Sequence, residues 1–189
     1  MDWDVTIGIP VYNGEDRLDI TLASLVEHHL GVKEIFISDN ASTDRTPEIA
    51  QKYADKYDNI HYIRQPKKIP VGDNWAATLK PATGKYFMFI GHHDLISENY
   101  FSELVPRLEE DDEAVVAMPT IRAFLNVPSD AKIEVQRPFY FDPLTSGINS
   151  ENVADRVYAV LRNGTTAMMI NQLFRTKTIT QIWNYANRE

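Results

Sequence analysis

The chain reads as an α/β protein, a mostly parallel sheet with helices on both faces. Two observations predict this. Short apolar, β-branched runs alternate with helix-spaced segments over the first two-thirds of the 189 residues, the signature of successive βαβ units. Polar loops follow three of those runs, where open parallel sheets hold ligands, outside the carboxyl ends of the strands.

Each element follows from a local signal. Residues 5–10 form a β-branched strand leading into a loop at 10–14. Residues 16–29 place Leu18, Leu22, Leu25 and Val26 at helical spacing, and Gly31 ends the run. Residues 34–38 are a second strand, followed by the polar loop 39–44. Thr46, Pro47 and Glu48 read as an N-cap, a first-turn proline and an early acid, opening a helix to about Tyr57. A third strand spans 60–64 and a helix 73–79, stopped before Thr83 and Gly84. Residues 86–90 are wholly apolar, so this fourth strand is expected to be central. His92, His93 and Asp94 follow at its carboxyl end. A helix at 98–109 and a strand at 114–118 continue the alternation. The acidic run 109–113 reads as a solvated helix end and turn. Beyond Pro119 the pattern changes: loops or a small hairpin at 124–141, a helix at 151–162, a strand at 167–174 and a helix at 176–186.

Composition narrows the function. With about 150 residues per domain, one domain is expected. There is no cysteine, which excludes disulfide frameworks, zinc ribbons, iron–sulfur clusters and thiol chemistry. The net charge of −8 argues against nucleic-acid binding, though not against one nucleotide in a local site. The acidic start is unlike a signal peptide, and no apolar run approaches the ~20 residues of a transmembrane segment. A soluble, cytoplasmic protein is expected, at most peripheral to a membrane.

The loops suggest chemistry. Loop 39–44 is rich in Asp, Asn, Ser and Thr, which build turns and helix entries from their own side chains. Asp39, at a strand end, could instead accept from a base N–H or a sugar hydroxyl. His92, His93 and Asp94 combine imidazole and carboxylate, which suit transition metals. Consecutive side chains on an extended segment diverge, however, so convergence there needs a turn. His28 and His29 read as helix capping and surface. No G-x-G-x-x-G, P-loop or G-x-S-x-G pattern is present.

Taken together, the motifs resemble the family 2 glycosyltransferases of GT-A fold. They are Ile9-Pro10-Val11-Tyr12-Asn13, the run from Ile35 to Thr46, Asn74-Trp75, Ala82-Thr83-Gly84-Lys85-Tyr86 and the His-His-Asp loop. The resemblance covers roughly residues 4–118 in good order and is weaker over 119–175. It implies a Rossmann-like sheet and transfer of a sugar, usually with inversion, from a nucleotide-diphosphate donor (a UDP-sugar favoured) to a saccharide or lipid-linked acceptor. It assigns Pro10, Tyr12 and Asn13 to the nucleotide pocket, Asp39 to the base and, more weakly, Asn74 to base and phosphates. It also implies a loop after the fourth strand holding Mn²⁺ or Mg²⁺ on the donor diphosphate. Residues 1–118 would be the donor portion and 119–189 the start of the acceptor side.

Two departures stand out. Where the family usually has adjacent acids, this chain has His93 and Asp94. His93 could ligate the metal, the site could work with cationic side chains instead, or the copy could be degenerate. The first reading is favoured, with Mn²⁺ over the harder Mg²⁺, because imidazole is a competent Mn²⁺ ligand. The acidic motif expected beyond the last strand, source of the general base, does not occur before Glu189. A fragment is therefore expected, and no catalytic residue is assigned. A sugar nucleotidyltransferase would need a Gly-rich, basic amino-terminal loop that is missing. A non-catalytic nucleotide-sugar-binding module is the other alternative. Oligomeric state leaves no trace in the sequence.

Overall fold

A computed structural model describes residues 2–119 and 170–186. Six strands are defined: β1 (Trp3–Val11), β2 (Val32–Asp39), β3 (Ile60–Arg64), β4 (Tyr86–Phe89), β5 (Val116–Ala117) and β6 (Leu173–Arg175). Five helices accompany them: α1 (Leu18–His29), α2 (Thr46–Lys56), α3 (Val71–Leu79), α4 (Tyr100–Glu110) and α5 (Thr176–Ala186). The sheet order is β3-β2-β1-β4-β6-β5. The first four strands are mutually parallel, while β6 runs antiparallel to both β4 and β5. The sheet is thus mostly parallel with an antiparallel edge. The apolar β4 lies inside it, between β1 and β6, as expected.

Strand periodicity divides the core. Val5, Ile7, Ile9 and Val11 point to one face with Ile35, Ile37, Met88 and Ile90, and pack with residues of α1, α2 and α4. The other face carries Phe87, Phe89 and Phe174, packed with Leu79 of α3 and Ile179 of α5. Trp75 and Trp183 close this smaller core, with ring centroids 4.9 Å and 5.6 Å from that of Phe89. Such pairs add about 0.5–1.5 kcal/mol each beyond area burial. Gly8 lets α3 approach β1: a Cβ there would collide with the Thr78 hydroxyl and sit 2.8 Å from the Phe87 ring.

Several boundaries differ from expectation. α3 starts at Val71, two residues early, because exposed Val71 and the side-chain-free Gly72 add nothing to an apolar period. β5 is only two residues long. The strand expected at 167–174 is, among the described residues, one bridge from Ile170 to Phe89 and then β6, interrupted at Asn171, whose φ is 62°. The hairpin or loops at 124–141 and the helix at 151–162 lie outside the described residues. Thr46 does not cap α2: its hydroxyl accepts the Gly14 N–H, while Asp44 accepts the Thr46 N–H. His29 is a correction of substance. It is 2% exposed, not on the surface, and its ring meets Phe101 of α4 edge-on at 5.1 Å. Burial lowers its pKa, which favours the neutral ring. Among the described residues no helix is long and apolar enough to cross a membrane.

Candidate functional site at the strand ends

The chain runs from β1 to β2 and β3 on one side, then returns to β4 on the other side of β1. This reversal makes a topological switch point between β1 and β4, where open α/β sheets bind ligands. The loops after β1, β2 and β4 all emerge at this end.

The first two loops are stitched together. Asn13 N–H donates to Ser42 Oγ at 2.9 Å, and Thr43 N–H donates to Asn13 Oδ1 at 2.9 Å. Glu15 N–H reaches Asp44, and Arg45 N–H returns to Glu15. Asn13 and Ala41 both adopt left-handed backbone, with φ of 49° and 58°. Asn tolerates this region, whereas Ala at 41 is strained. Strained backbone concentrates at functional sites, and here it turns the chain sharply past Asp39. Tyr12 is 39% exposed, and Lys68 Nζ stands 3.8 Å from its ring centroid. Pro10 is buried within β1, opposite Ser38.

Asp39 is fully buried and already engaged. Its Oδ1 accepts the Ser42 N–H at 2.8 Å. Its Oδ2 accepts the Tyr62 hydroxyl at 2.9 Å and Arg64 Nη1 at 3.0 Å. Arg64 also donates to Ser42 O, and its side chain is 45% exposed. A carboxylate offers about four lone-pair sites, of which three are taken. The outward-facing group at this position is therefore the guanidinium. Tyr62 and Arg64 belong to none of the sequence motifs. Their signal was available: two positions apart on one strand, they share a face.

Asn74 is 3% exposed and turned inward. Its amide donates to Ser38 O at 3.0 Å and accepts the Ser38 hydroxyl at 2.7 Å. It ties α3 to the end of β2, so its polar atoms serve the strand ends.

The loop after β4 makes the turn that convergence required. Asp94 N–H donates to Gly91 O at 3.0 Å, and the Thr21 hydroxyl donates to His92 O at 2.9 Å. His93 Nε2 and Asp94 Oδ1 then lie 3.9 Å apart, both partly exposed. His92 turns the other way, against Gly14, where an added Cβ would sit 2.7 Å from its ring. Burial, followed by the neighbouring His93, lowers the His92 pKa. His93 and Asp94 are thus brought together on an open edge, and His92 joins the β4 loop to the β1 loop. Among the described residues no group of three or more His, Cys, Asp or Glu could hold a metal. The pair does fit a cation that draws its other ligands from donor phosphates and water, the usual habit of small divalent ions at phosphate sites. A separate cleft of about 370 Å³, lined by Trp3, Leu30 and Lys33 among others, lies at the opposite strand ends and contains none of these residues.

This arrangement defines an open α/β sheet with its polar loops gathered at a switch point, and sequence and structural comparison specify its family. The chain belongs to Glycosyl transferase family 2, whose model matches residues 6–164. It is 27% identical over 179 residues to the cholesterol galactosyltransferase of Borreliella burgdorferi, covering 94% of this chain and 49% of that protein. The crystal structure of S. aureus TarS 1–349 superposes with a TM-score of 0.63 at 19% identity, over 96% of this chain and 49% of that one. The mannosyltransferase PcManGT of Pyrobaculum calidifontis, solved with GDP-Man and Mn²⁺, gives 0.55 at 19% identity, over 62% of this chain and 35% of that one. These likenesses show the GT-A fold. The chain spans about half the length of the galactosyltransferase.

Proposed function

We propose that residues 1–118 are the donor-binding portion of an inverting glycosyltransferase, with 119–189 beginning the acceptor side. The sugar comes from a nucleoside-diphosphate donor, a UDP-sugar favoured. The observation that carries this is the meeting of the Tyr12–Asn13, Asp39 and His93–Asp94 loops at one switch point. Structures of S. aureus TarS in complex with UDP-GlcNAc and with UDP support the choice of base. The acceptor is a saccharide or a lipid-linked molecule; a lipid acceptor fits the name of the cholesterol galactosyltransferase relative.

In this reading Pro10, Tyr12 and Asn13 line the nucleotide pocket. The base donates an N–H to Asp39 after displacing the solvent-facing Arg64, and a buried acceptor of this kind rejects bases lacking the matching donor. Asn74 holds the ends of β1 and β2 beneath it. His93 and Asp94 hold the divalent ion, Mn²⁺ favoured, which when bound neutralises charge on the departing diphosphate. The acceptor oxygen attacks the anomeric carbon as its bond to the diphosphate breaks. The base that takes the acceptor's proton belongs to the acceptor side.

Calorimetric titration of UDP into the protein, with and without Mn²⁺, tests the reading. Binding is expected to need Mn²⁺ and to exceed GDP binding. Asp94→Ala is expected to abolish the Mn²⁺-dependent binding while the protein stays folded. Binding indifferent to Mn²⁺, or to the Asp94 substitution, would reject the metal assignment. Absence of UDP binding under every condition would reject the donor assignment.

A further inference from the structure

Asn171 lies 77 positions beyond Asp94, yet it touches the beginning, middle and end of the segment between β4 and α4. Its N–H donates to the carbonyl of Phe89, the last residue of β4, at 2.7 Å. Its carbonyl accepts the hydroxyl of Tyr100, the first residue of α4, at 2.8 Å. Its side-chain Nδ2 donates to Asp94 Oδ2 at 3.2 Å. The left-handed backbone, φ 62°, aims the side chain at the loop, and Asn accepts this conformation more readily than most residues.

The consequence falls on the carboxylate. Asp94 Oδ2 takes Asn171 Nδ2 and the Gly91 N–H, leaving Oδ1 as the oxygen facing His93 Nε2. Asn171 Oδ1 is meanwhile buried without a hydrogen-bond partner among the described residues. Flipping the amide would set this oxygen against Asp94 Oδ2, two acceptors in contact. The orphaned acceptor is the cost of keeping a donor on Asp94, and such unpaired groups in folded proteins call for a functional explanation.

We propose that Asn171 is a positioning residue for the metal loop: it holds Asp94 by Oδ2 so that Oδ1 and His93 Nε2 are presented together to a divalent cation. The inference rests on the metal reading given above. Groups that orient a metal ligand in this way typically change affinity 10–100-fold when removed.

The test is Mn²⁺ affinity, read by electron paramagnetic resonance in the presence of saturating UDP. Asn171→Gly is the informative variant. Glycine accepts φ 62° without strain, so both backbone hydrogen bonds survive and only the amide is lost. A tenfold or greater loss of Mn²⁺ affinity is expected, with far-UV circular dichroism unchanged. In an Asp94→Asn background the same substitution is expected to add little, because Asn171 acts through Asp94. Asn171→Ser, whose side chain is too short to reach Asp94, provides a second route to the same loss if the glycine variant does not fold. If Asp94→Asn weakens Mn²⁺ binding and neither Asn171 variant does, the positioning role is overturned. If Asp94→Asn itself leaves Mn²⁺ binding intact, the metal reading fails first.

Discussion

Asp39→Asn tests what the buried carboxylate does for the fold. The substitution keeps one oxygen to accept the buried Ser42 N–H, at 2.8 Å in the native protein. The new amide then faces the Tyr62 hydroxyl and Arg64 Nη1, at 2.9 Å and 3.0 Å from the present Oδ2. Tyrosine can rotate its hydroxyl and accept. Arginine has only donors, so one contact becomes donor against donor. A hydrogen bond to a charged group contributes about 1.5–3 kcal/mol. Arg64 is 45% exposed and recovers part of that from water, so the expected loss is about 1–2 kcal/mol. For a chain of this size, that lowers Tm by roughly 2–8 °C. Urea unfolding followed by fluorescence of the three tryptophans measures it directly. Arg64→Met in both backgrounds completes a cycle, and the penalty of Asp39→Asn is expected to shrink once the guanidinium is gone. A variant within 0.5 kcal/mol of the wild type, or an unchanged penalty without Arg64, would refute the cluster.

Two further outcomes follow from other parts of the molecule. Gly14→Ala would place a methyl 2.7 Å from the His92 ring and from Val11 Cγ2, costing about 1–3 kcal/mol by overpacking and weakening Mn²⁺-dependent UDP binding; equal stability in denaturant titration would contradict that packing. The acid limb of the stability curve draws on hydrogen-bonded carboxylates and on buried histidines. Burial pushes the Glu34 carboxyl up, but donors from Thr6 and Thr83, with Lys33, hold it below the usual value. Its contribution is therefore present above the unfolded pKa near 4.5 and lost as pH falls through the lower folded value. Burial of His29 lowers its pKa from 6.5, so its contribution is present above that value and lost as pH falls below it; buried His92 has the same sign. Glu34→Gln is expected to flatten the lower window and His29→Leu the upper one, measured as unfolding free energy against pH. Unchanged slopes would show these groups are solvated.

Much of the fold was legible because its signals are local. The β-branched run at 5–10, the Leu18–Leu22–Leu25 spacing and the apolar run at 86–90 each state an element through its own periodicity. The polar loops were legible as strand ends for the same reason. The burial of His29 is not legible in the sequence because it comes from Phe101, brought over by α4 from far along the chain. The relation of Arg64 to Asp39 is hidden in the sequence because it exists only through the β2–β3 register. Asn74 carries its motif position but spends its polar atoms inside.

The sequence by itself determined the alternation of strands and helices, the absence of thiol chemistry and the family, since composition, periodicity and motif order need no knowledge of distant contacts. Tertiary structure alone decided the strand order with its antiparallel β6 edge, the shielding of Asp39 by Tyr62 and Arg64, and the clamp of Asn171 on Asp94. The physical reason is common to all three. Each depends on groups separated by 20 or more residues meeting at hydrogen-bond distance, and only the packed sheet sets which distant groups meet.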